Sequence, residues 1–424
     1  MKLKLVLVSF LGLASAIQTY AQSPYPEKCG TMSHMEDLKI KDPSLVQRMI
    51  ADEQLLQQTS GNSQVARTSN VVYTIPVVVH VVYRTAGQNI SDAQIQSQID
   101  VLNEDFGRRN ADTISTPVDF RSVAAATQFQ FCLARRDPSG NVTNGIERRL
   151  TTLTSFSQDD AVKSYTTGGL DAWDVNRYLN IWVCNMSGGI LGYGEFPSST
   201  HTNTYGVVVI FNSFGRIGLV SPPYNKGRTC THEISHCFRL YHIWGDDGGS
   251  CSGSDYVADT PNQADATYGC FTFPHVDACA TASPGIMYMN YMDYSDDNCL
   301  NMFTAGQSSR MFSSINAYYR TLFTSDGCLE VINGISDVPD FNFSVYPNPS
   351  EGTITIDMFT SPTISKNLKV RITDAVGRIV RDEKIENSAG YMHTVDLSGN
   401  ENGLYFVTIY NDNYSKTTRV VLSK

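Results

Sequence analysis

The chain has 424 residues, a net charge of −10 and an isoelectric point near 5.3. That length holds two or three domains and a core large enough for an enzyme. The acidic balance, without any basic run, argues against nucleic acid as a partner, and 10 cysteines in a lysine-poor chain suit an exported protein held by disulfides.

Lys2 and Lys4 precede an apolar run over residues 5–17, with small residues at Ala14-Ser15-Ala16 and a second cleavage point at Ala21-Gln22. This predicts a secretory signal peptide over residues 1–21, too short for a membrane span. No later stretch reaches about 18 consecutive apolar residues, so the mature protein is expected to have no transmembrane segment. Residues 22–67 are polar, show no evident core, hold a lone Cys29 and end at Arg67. They read as a pro-peptide, with a disordered spacer as the alternative. Residues 71–83 are dense in β-branched side chains and predict a buried strand. Ser91 caps a helix predicted over residues 92–106, where Ile95, Ile99, Leu102 and Phe106 recur at helical spacing. Further strands are expected over 129–133, 179–184, 190–196 and 207–211, giving a mixed α/β layer within a domain spanning 68–334. A linker over 335–342 leads to 343–424, where short strands alternate about Pro, Asn and Gly turns, as in an all-β sandwich.

His232-Glu233-Ile234-Ser235-His236 puts two histidines on one face of a helix. Both imidazoles then reach one Zn²⁺ at about 2.0–2.1 Å, leaving Glu233 free as general base for a water. The plain alternative is an amphipathic helix with solvated charges. Residues 237–328 contain no glutamate, so His242 is the nearby candidate for a third ligand. Three nitrogens with one open position make a catalytic site rather than a closed structural one. Asn290-Tyr291-Met292-Asp293-Tyr294 has the form of a methionine-containing turn beneath such a site. Cys251, Cys270, Cys279 and Cys299 fall around these elements and suit staples of a long loop. With His232 at 0° on a helical wheel, Cys230 and Cys237 fall near about 160° and about 140°, facing the core or another thiol. Asp246, Asp247, Asp255 and Asp259 crowd the loop after His242, as a Ca²⁺ site or as a solvated acidic loop. His80, His201 and His275 lack ligand spacing and read as structural or surface residues.

Together with Leu179-Asn180-Ile181-Trp182-Val183, Leu191-Gly192-Tyr193, Trp244-Gly245-Asp246-Asp247, Asp259-Thr260-Pro261 and residues 289–294, these motifs resemble the pappalysin family of metzincin zinc metalloproteases. The likeness is to its bacterial, cytophagalysin- and ulilysin-like branch and covers residues 71–328. It implies an α/β (α+β) catalytic domain with a twisted mixed sheet and a zinc-binding active-site helix. It implies a secreted zinc endopeptidase made as a latent zymogen and acting on protein or peptide substrates. On this resemblance His232, His236 and His242 hold zinc, Glu233 is the general base, Met292 is the turn methionine and Tyr294 meets the oxyanion. Cys29 would sit on the zinc of the latent form, a disulfide to the catalytic domain being the alternative. The same resemblance pairs Cys251 with Cys279 and Cys270 with Cys299. It lays substrate along the strand near Leu191, Gly192 and Tyr193, and points to calcium at Asp255 and Thr260. A rival reading is a non-catalytic binding or adhesion module on a protease scaffold, which would have no need of Glu233.

The C-terminal Tyr346-Pro347-Asn348-Pro349, Asp374-Ala375-Val376-Gly377-Arg378 and Gly403-Leu404-Tyr405-Phe406-Val407, with Arg419 and Lys424, resemble the sorting domain recognised by the type IX secretion machinery of Gram-negative bacteria. The alternative is a sandwich that binds a carbohydrate or protein surface. Sorting implies export through the periplasm to the medium or the cell surface. One residue departs from the family pattern. Arg239 stands where relatives place glycine or asparagine, at the point where the helix must break so that His242 can turn back. Were the helix to continue, Arg239 would fall at about −20°, beside the dication. It is therefore expected in a left-handed conformation with its guanidinium off the metal, and replacement by glycine is expected to keep or improve stability.

Overall fold

The computed structural model describes residues 27–60, 71–330, 341–360, 368–385, 392–411 and 415–424. The signal peptide, the Arg67 boundary and most of the linker lie outside the described residues. The chain divides into two compact units, Met1–Val331 and Ile332–Lys424.

Among the described residues the first elements of this unit are two helices, α1 (Thr31–Lys41) and α2 (Ser44–Ser60). They correct the expectation that this polar segment is without a core or a disordered spacer: His34, Met35 and Leu56 are buried. Asp52 and Glu53 are also buried, so the inner face of α2 carries charge that an apolar periodicity does not register. The long strand β1 (Tyr73–Tyr83) follows. Next is α3 (Asp92–Phe106), where Ser91 Oγ accepts from Gln94 N at 3.2 Å as an N-cap. A short helix α4 (Val118–Arg121) precedes strands β2 (Ala124–Ala125), β3 (Phe129–Leu133), β4 (Ile146–Leu150), β5 (Leu179–Cys184), β6 (Gly192–Gly194) and β7 (Val207–Ile210). Helix α5 (Arg228–Cys237), β8 (Phe303–Thr304) and α6 (Ala305–Tyr318) complete the unit.

One mixed sheet organises it, in the order β3-β1-β5-β7-β6. Strand β1 pairs with β3 along its first half and β4 along its second, with β5 on the opposite edge. These pairings are parallel, as is β5–β7, whereas β6 runs antiparallel to β7. Burial on both faces explains why β1 reads as a nearly continuous apolar run. Val77, Val79 and Val81 enter the main core, while Val78 and Val82 face smaller clusters on the other side. The strand expected over 190–196 shortens to the glycine-bounded β6, because α5 presses against it. A Cβ at Gly192 would lie 2.7 Å from Glu233 Cγ and 2.8 Å from Val208 O. Disulfides Cys251–Cys279 and Cys270–Cys299 staple the loop between α5 and β8, and Cys132–Cys328 ties β3 to the end of the unit.

The second unit holds β9 (Phe341–Tyr346), β10 (Thr353–Thr360), β11 (Lys369–Asp374), β12 (Ile379–Lys384), β13 (Met392–Asp396), β14 (Gly403–Tyr410) and β15 (Ser415–Leu422). They form antiparallel sheets β13-β10-β9 and β12-β11-β14-β15. Alternate residues of both, among them Ile354, Ile356, Val370, Ile372, Val407 and Ile409, make one core, as in a β-sandwich. Among the described residues no helix is long and apolar enough to cross a membrane.

Candidate active site

The last turn of α5 decides where the third histidine goes. Arg239 takes φ 69°, with Arg239 N donating to His236 O at 2.8 Å and Leu240 N to Ser235 O at 2.9 Å. This is the left-handed helix stop usually filled by glycine, and it costs a side-chain-bearing residue about 1 kcal/mol or more. The turn brings His242 back beside His232 and His236. Their Nε2 atoms stand 3.1 Å (His232–His236), 3.2 Å (His236–His242) and 3.3 Å (His232–His242) apart.

The opposite nitrogens fix the ring tautomers. His232 Nδ1 lies 2.7 Å from Tyr291 O, His236 Nδ1 2.7 Å from Leu240 O and His242 Nδ1 2.7 Å from Asp246 Oδ1. Each Nδ1 must donate to its acceptor, so three Nε2 lone pairs face one another in a buried space. Without a cation that arrangement is repulsive. Three ligands on a tetrahedron at about 2.05 Å from a zinc ion would lie about 3.3 Å apart, so the residues present fit the metal. Burial lowers the His232 pKa to about 3 and holds that of His236 well below its ordinary value, each reinforced by His242. Neutral rings are the form that binds metal.

Glu233 faces the same space from α5 and is buried. Burial lifts its carboxyl to about 8, against hydrogen bonds from Cys29 and Thr31. Met292 is buried in the turn at residues 290–294, where Asn290 Oδ1 accepts from Met292 N at 2.9 Å. Asp105 on α3 anchors this turn to α5, accepting from Tyr291 Oη and from Thr231 Oγ1, each at 2.8 Å. Tyr294 stands with its ring 5.7 Å from that of His232 and 5.0 Å from that of His242.

The chain's own N-terminal segment fills the cleft. Leu191 N donates to Lys28 O at 2.7 Å and Gly30 N to Gly192 O at 2.8 Å, so the segment pairs with the edge strand β6. Between these bonds Cys29 is buried and free, not disulfide-bonded. Its Sγ lies within 4.8 Å of the three imidazole nitrogens and donates to Glu233 Oε2 at 3.2 Å. Thr31 Oγ1 donates to the same oxygen at 3.1 Å, and Tyr294 Oη to Cys29 O at 3.4 Å. Burial first, and then Glu233, pushes the Cys29 thiol well above its ordinary pKa; a dication at the imidazoles would reverse that.

The other predicted site residues are placed as follows. Leu191 and Gly192 border the cleft through their backbone. Tyr193 instead sends its side chain away from it, donating to Asp160 Oδ1 at 3.2 Å. Asp255 and Thr260 join each other, Thr260 Oγ1 donating to Asp255 Oδ2 at 2.7 Å. Cys230 and Cys237 are free and buried, with Cys237 Sγ donating to Gly206 O at 3.1 Å. His80 is buried between Glu147 and Asn180, His201 stacks on Tyr319 and His275 on Phe271. A second gathering of ligand atoms, His34 with Asp160 and Glu195, holds the Lys163 ammonium 2.8 Å from Asp160 and is an ion-pair cluster. Arg239 has its expected positive φ and points away from the three imidazoles, but its surroundings speak against the expectation that glycine serves as well there. Its side chain is wholly buried against Asp52 and two backbone carbonyls. Sequence reasoning also missed Thr31, which nothing in its spacing marks. It missed the bond that His242 Nδ1 donates to Asp246, for which the four-residue spacing was a usable signal.

The family model described as pregnancy-associated plasma protein-A matches residues 163–316, and one described as a secretion system C-terminal sorting domain matches residues 344–423. An extracellular metalloprotease of Arthroderma benhamiae is 33% identical over 254 residues, covering 58% of this chain and 78% of the relative. A promirolysin mutant of Tannerella forsythia is 49% identical with a TM-score of 0.65, over 70% of this chain and 97% of its own. Mature mirolysin of the same organism, in complex with a cleaved peptide, is 52% identical with a TM-score of 0.60, over 63% of this chain and 100% of its own. The chain therefore belongs to the pregnancy-associated plasma protein-A family, the pappalysins: it is a secreted or cell-surface metalloendopeptidase that carries a type IX secretion sorting domain.

Proposed function

We propose that His232, His236 and His242 hold a catalytic zinc ion and that Glu233 is the general base of peptide-bond hydrolysis, in an enzyme kept latent by residues 22–67. The observation that carries this reading is the convergence of three Nε2 lone pairs whose rings are each pinned by a bond at Nδ1. When bound, zinc supplies a Lewis-acid centre that lowers the pKa of a water toward about 7. Glu233 takes the proton of the attacking water and passes it to the leaving amine. Tyr294 donates a hydrogen bond to the oxyanion developing on the scissile carbonyl. In support, its hydroxyl already lies 3.4 Å from a backbone carbonyl, that of Cys29, in the cleft. Met292 packs beneath the ligand set. Substrate backbone takes the β6 edge at Leu191, Gly192 and Tyr193, which the N-terminal segment now occupies.

In the latent form Cys29 provides a fourth ligand and Thr31 holds Glu233. Removal of residues 1–21 at export and of 22–67 at activation would leave a catalytic domain at 68–334, joined through 335–342 to the sorting domain at 343–424. Calcium at Asp255 and Thr260 is part of the same proposal, supported by a buried carboxylate beside a hydroxyl. The non-catalytic alternative leaves the placing of Glu233 against the imidazoles without a purpose. The test is cleavage of an unfolded protein substrate by activated enzyme, with zinc content measured in parallel. Glu233→Gln should retain zinc yet lose about 10²–10⁴-fold in rate, and a chelator should abolish wild-type activity. Chelator-insensitive cleavage, or full activity in the glutamine variant, would overturn the assignment.

A further inference from the structure

Arg239 is a large, wholly buried cation at a backbone position suited to glycine. A turn residue whose side chain had no task would point to water, whereas this one is enclosed by acceptors. Nη1 donates to Pro197 O at 2.9 Å and to Asp52 Oδ2 at 3.3 Å, Nη2 donates to Met49 O at 3.1 Å, and Nε lies 3.8 Å from Glu53 Oε2. Two of the three hydrogen-bond acceptors, and the Glu53 carboxylate that Nε faces without a hydrogen bond, belong to α2. Arg310, also buried on α6, completes the arrangement. Its Nη1 and Nη2 donate to the two oxygens of Glu53 at 2.8 and 2.6 Å, and its Nε donates to Arg239 O at 2.9 Å. The fork matches the carboxylate, which gives such a pair its geometric selectivity.

We propose that Arg239 and Arg310 form a two-guanidinium receptor that anchors the N-terminal segment through Asp52 and Glu53, independently of the contact of Cys29 with the metal site. The inference rests on the reading of residues 22–67 as a pro-segment. The two anchors touch different parts of the catalytic unit. Lys28 to Thr31 engage β6 and Glu233, whereas Asp52 and Glu53 engage the residue that stops α5 and the helix α6. Freeing the Cys29 thiol from the metal therefore opens the cleft without releasing α2. Removal of α2 strips both guanidinium groups of their carboxylates, leaving Arg239 with Pro197 O and Arg310 with Arg239 O. The strained arginine is thus retained for what it binds, and latency has two separable parts.

Hydrogen exchange on the full chain tests this, in a Glu233→Gln background that prevents self-cleavage. Asp52→Ala/Glu53→Ala should speed amide exchange across residues 44–60 at least fivefold while residues 28–31 stay protected. Cys29→Ala should do the reverse, and the combined variant should release both. These substitutions lie on the segment itself and are read against the Glu233→Gln chain, so that the altered contacts of Cys29 and Thr31 with residue 233 are common to every arm; Arg239→Gly, from the other side, should also release α2. Acceleration of α2 by less than fivefold in the alanine pair, or an equal acceleration from Cys29→Ala alone, overturns the proposal. Mass analysis of the active wild-type protein keeps the two readings apart. If residues 44–60 persist in its chain, the pro-segment reading fails while the exchange result still decides the anchor.

Discussion

At the scale of single residues, the convergence of the three imidazoles depends on atoms that hold rings rather than on the rings alone. His232 and His236 ride on α5, but His242 lies beyond the helix stop, oriented by Asp246 at 2.7 Å and by stacking on Trp244 with centroids 4.2 Å apart. Asp246→Ala removes the acceptor that fixes the Nδ1–H tautomer, so zinc affinity should fall about 10–100-fold with little change in fold. Competition against a chromogenic chelator measures this, and unchanged affinity would deny Asp246 that role. The two helical histidines, the glutamate between them and His242 were legible from spacing, since helical geometry alone puts the first two on one face. Their supports were not, because Tyr291 O and Leu240 O are backbone carbonyls that only the fold brings near. The backbone of Arg239 was legible and its side-chain contacts were not, because its partner Asp52 lies 187 positions away in the chain.

At the scale of elements, apolar periodicity decided what could be seen. The helix over residues 92–106 was legible to its ends, having both a cap and a regular stripe. Helices α1 and α2 were not, because α2 buries Asp52 and Glu53 against arginines, where a pattern search expects aliphatic side chains. The loop after His242 poses a question that pH can answer. Burial raises the Asp255 carboxyl from 3.8 to about 6. A carboxyl that holds its proton more tightly when folded contributes stability at low pH, which is lost as pH rises through about 6. A calcium ion at Asp255 and Thr260 would cancel that loss by favouring the ionised form. Calcium should therefore raise the melting temperature more at about pH 7.5 than at about pH 5. Asp255→Asn should remove the difference. An equal or absent calcium effect at both pH values would take calcium out of this loop.

At the scale of the whole molecule, the two units carry separate cores with no residue in common among those described. Composition alone announced the change, since helix signals vanish beyond Cys328 and short strands about Pro and Asn turns take over. The disulfide Cys132–Cys328, spanning 196 positions, fastens the last described stretch of the catalytic unit to β3. In a chain-entropy account a loop of that length is worth about 5 kcal/mol, and this bond ties the end of the unit to its own sheet. Truncation after residue 334 should thus leave the unfolding transition of the catalytic unit in place and remove a second transition belonging to the sandwich. Calorimetry of the full and shortened chains reads both. The shortened chain should also retain chelator-sensitive cleavage after activation while failing to leave the periplasm of a secreting host, because the segment matched as a sorting domain, 344–423, is gone. Loss of the catalytic transition on truncation would instead mean that the sandwich supports the enzyme's fold, and sorting would no longer suffice to explain its presence.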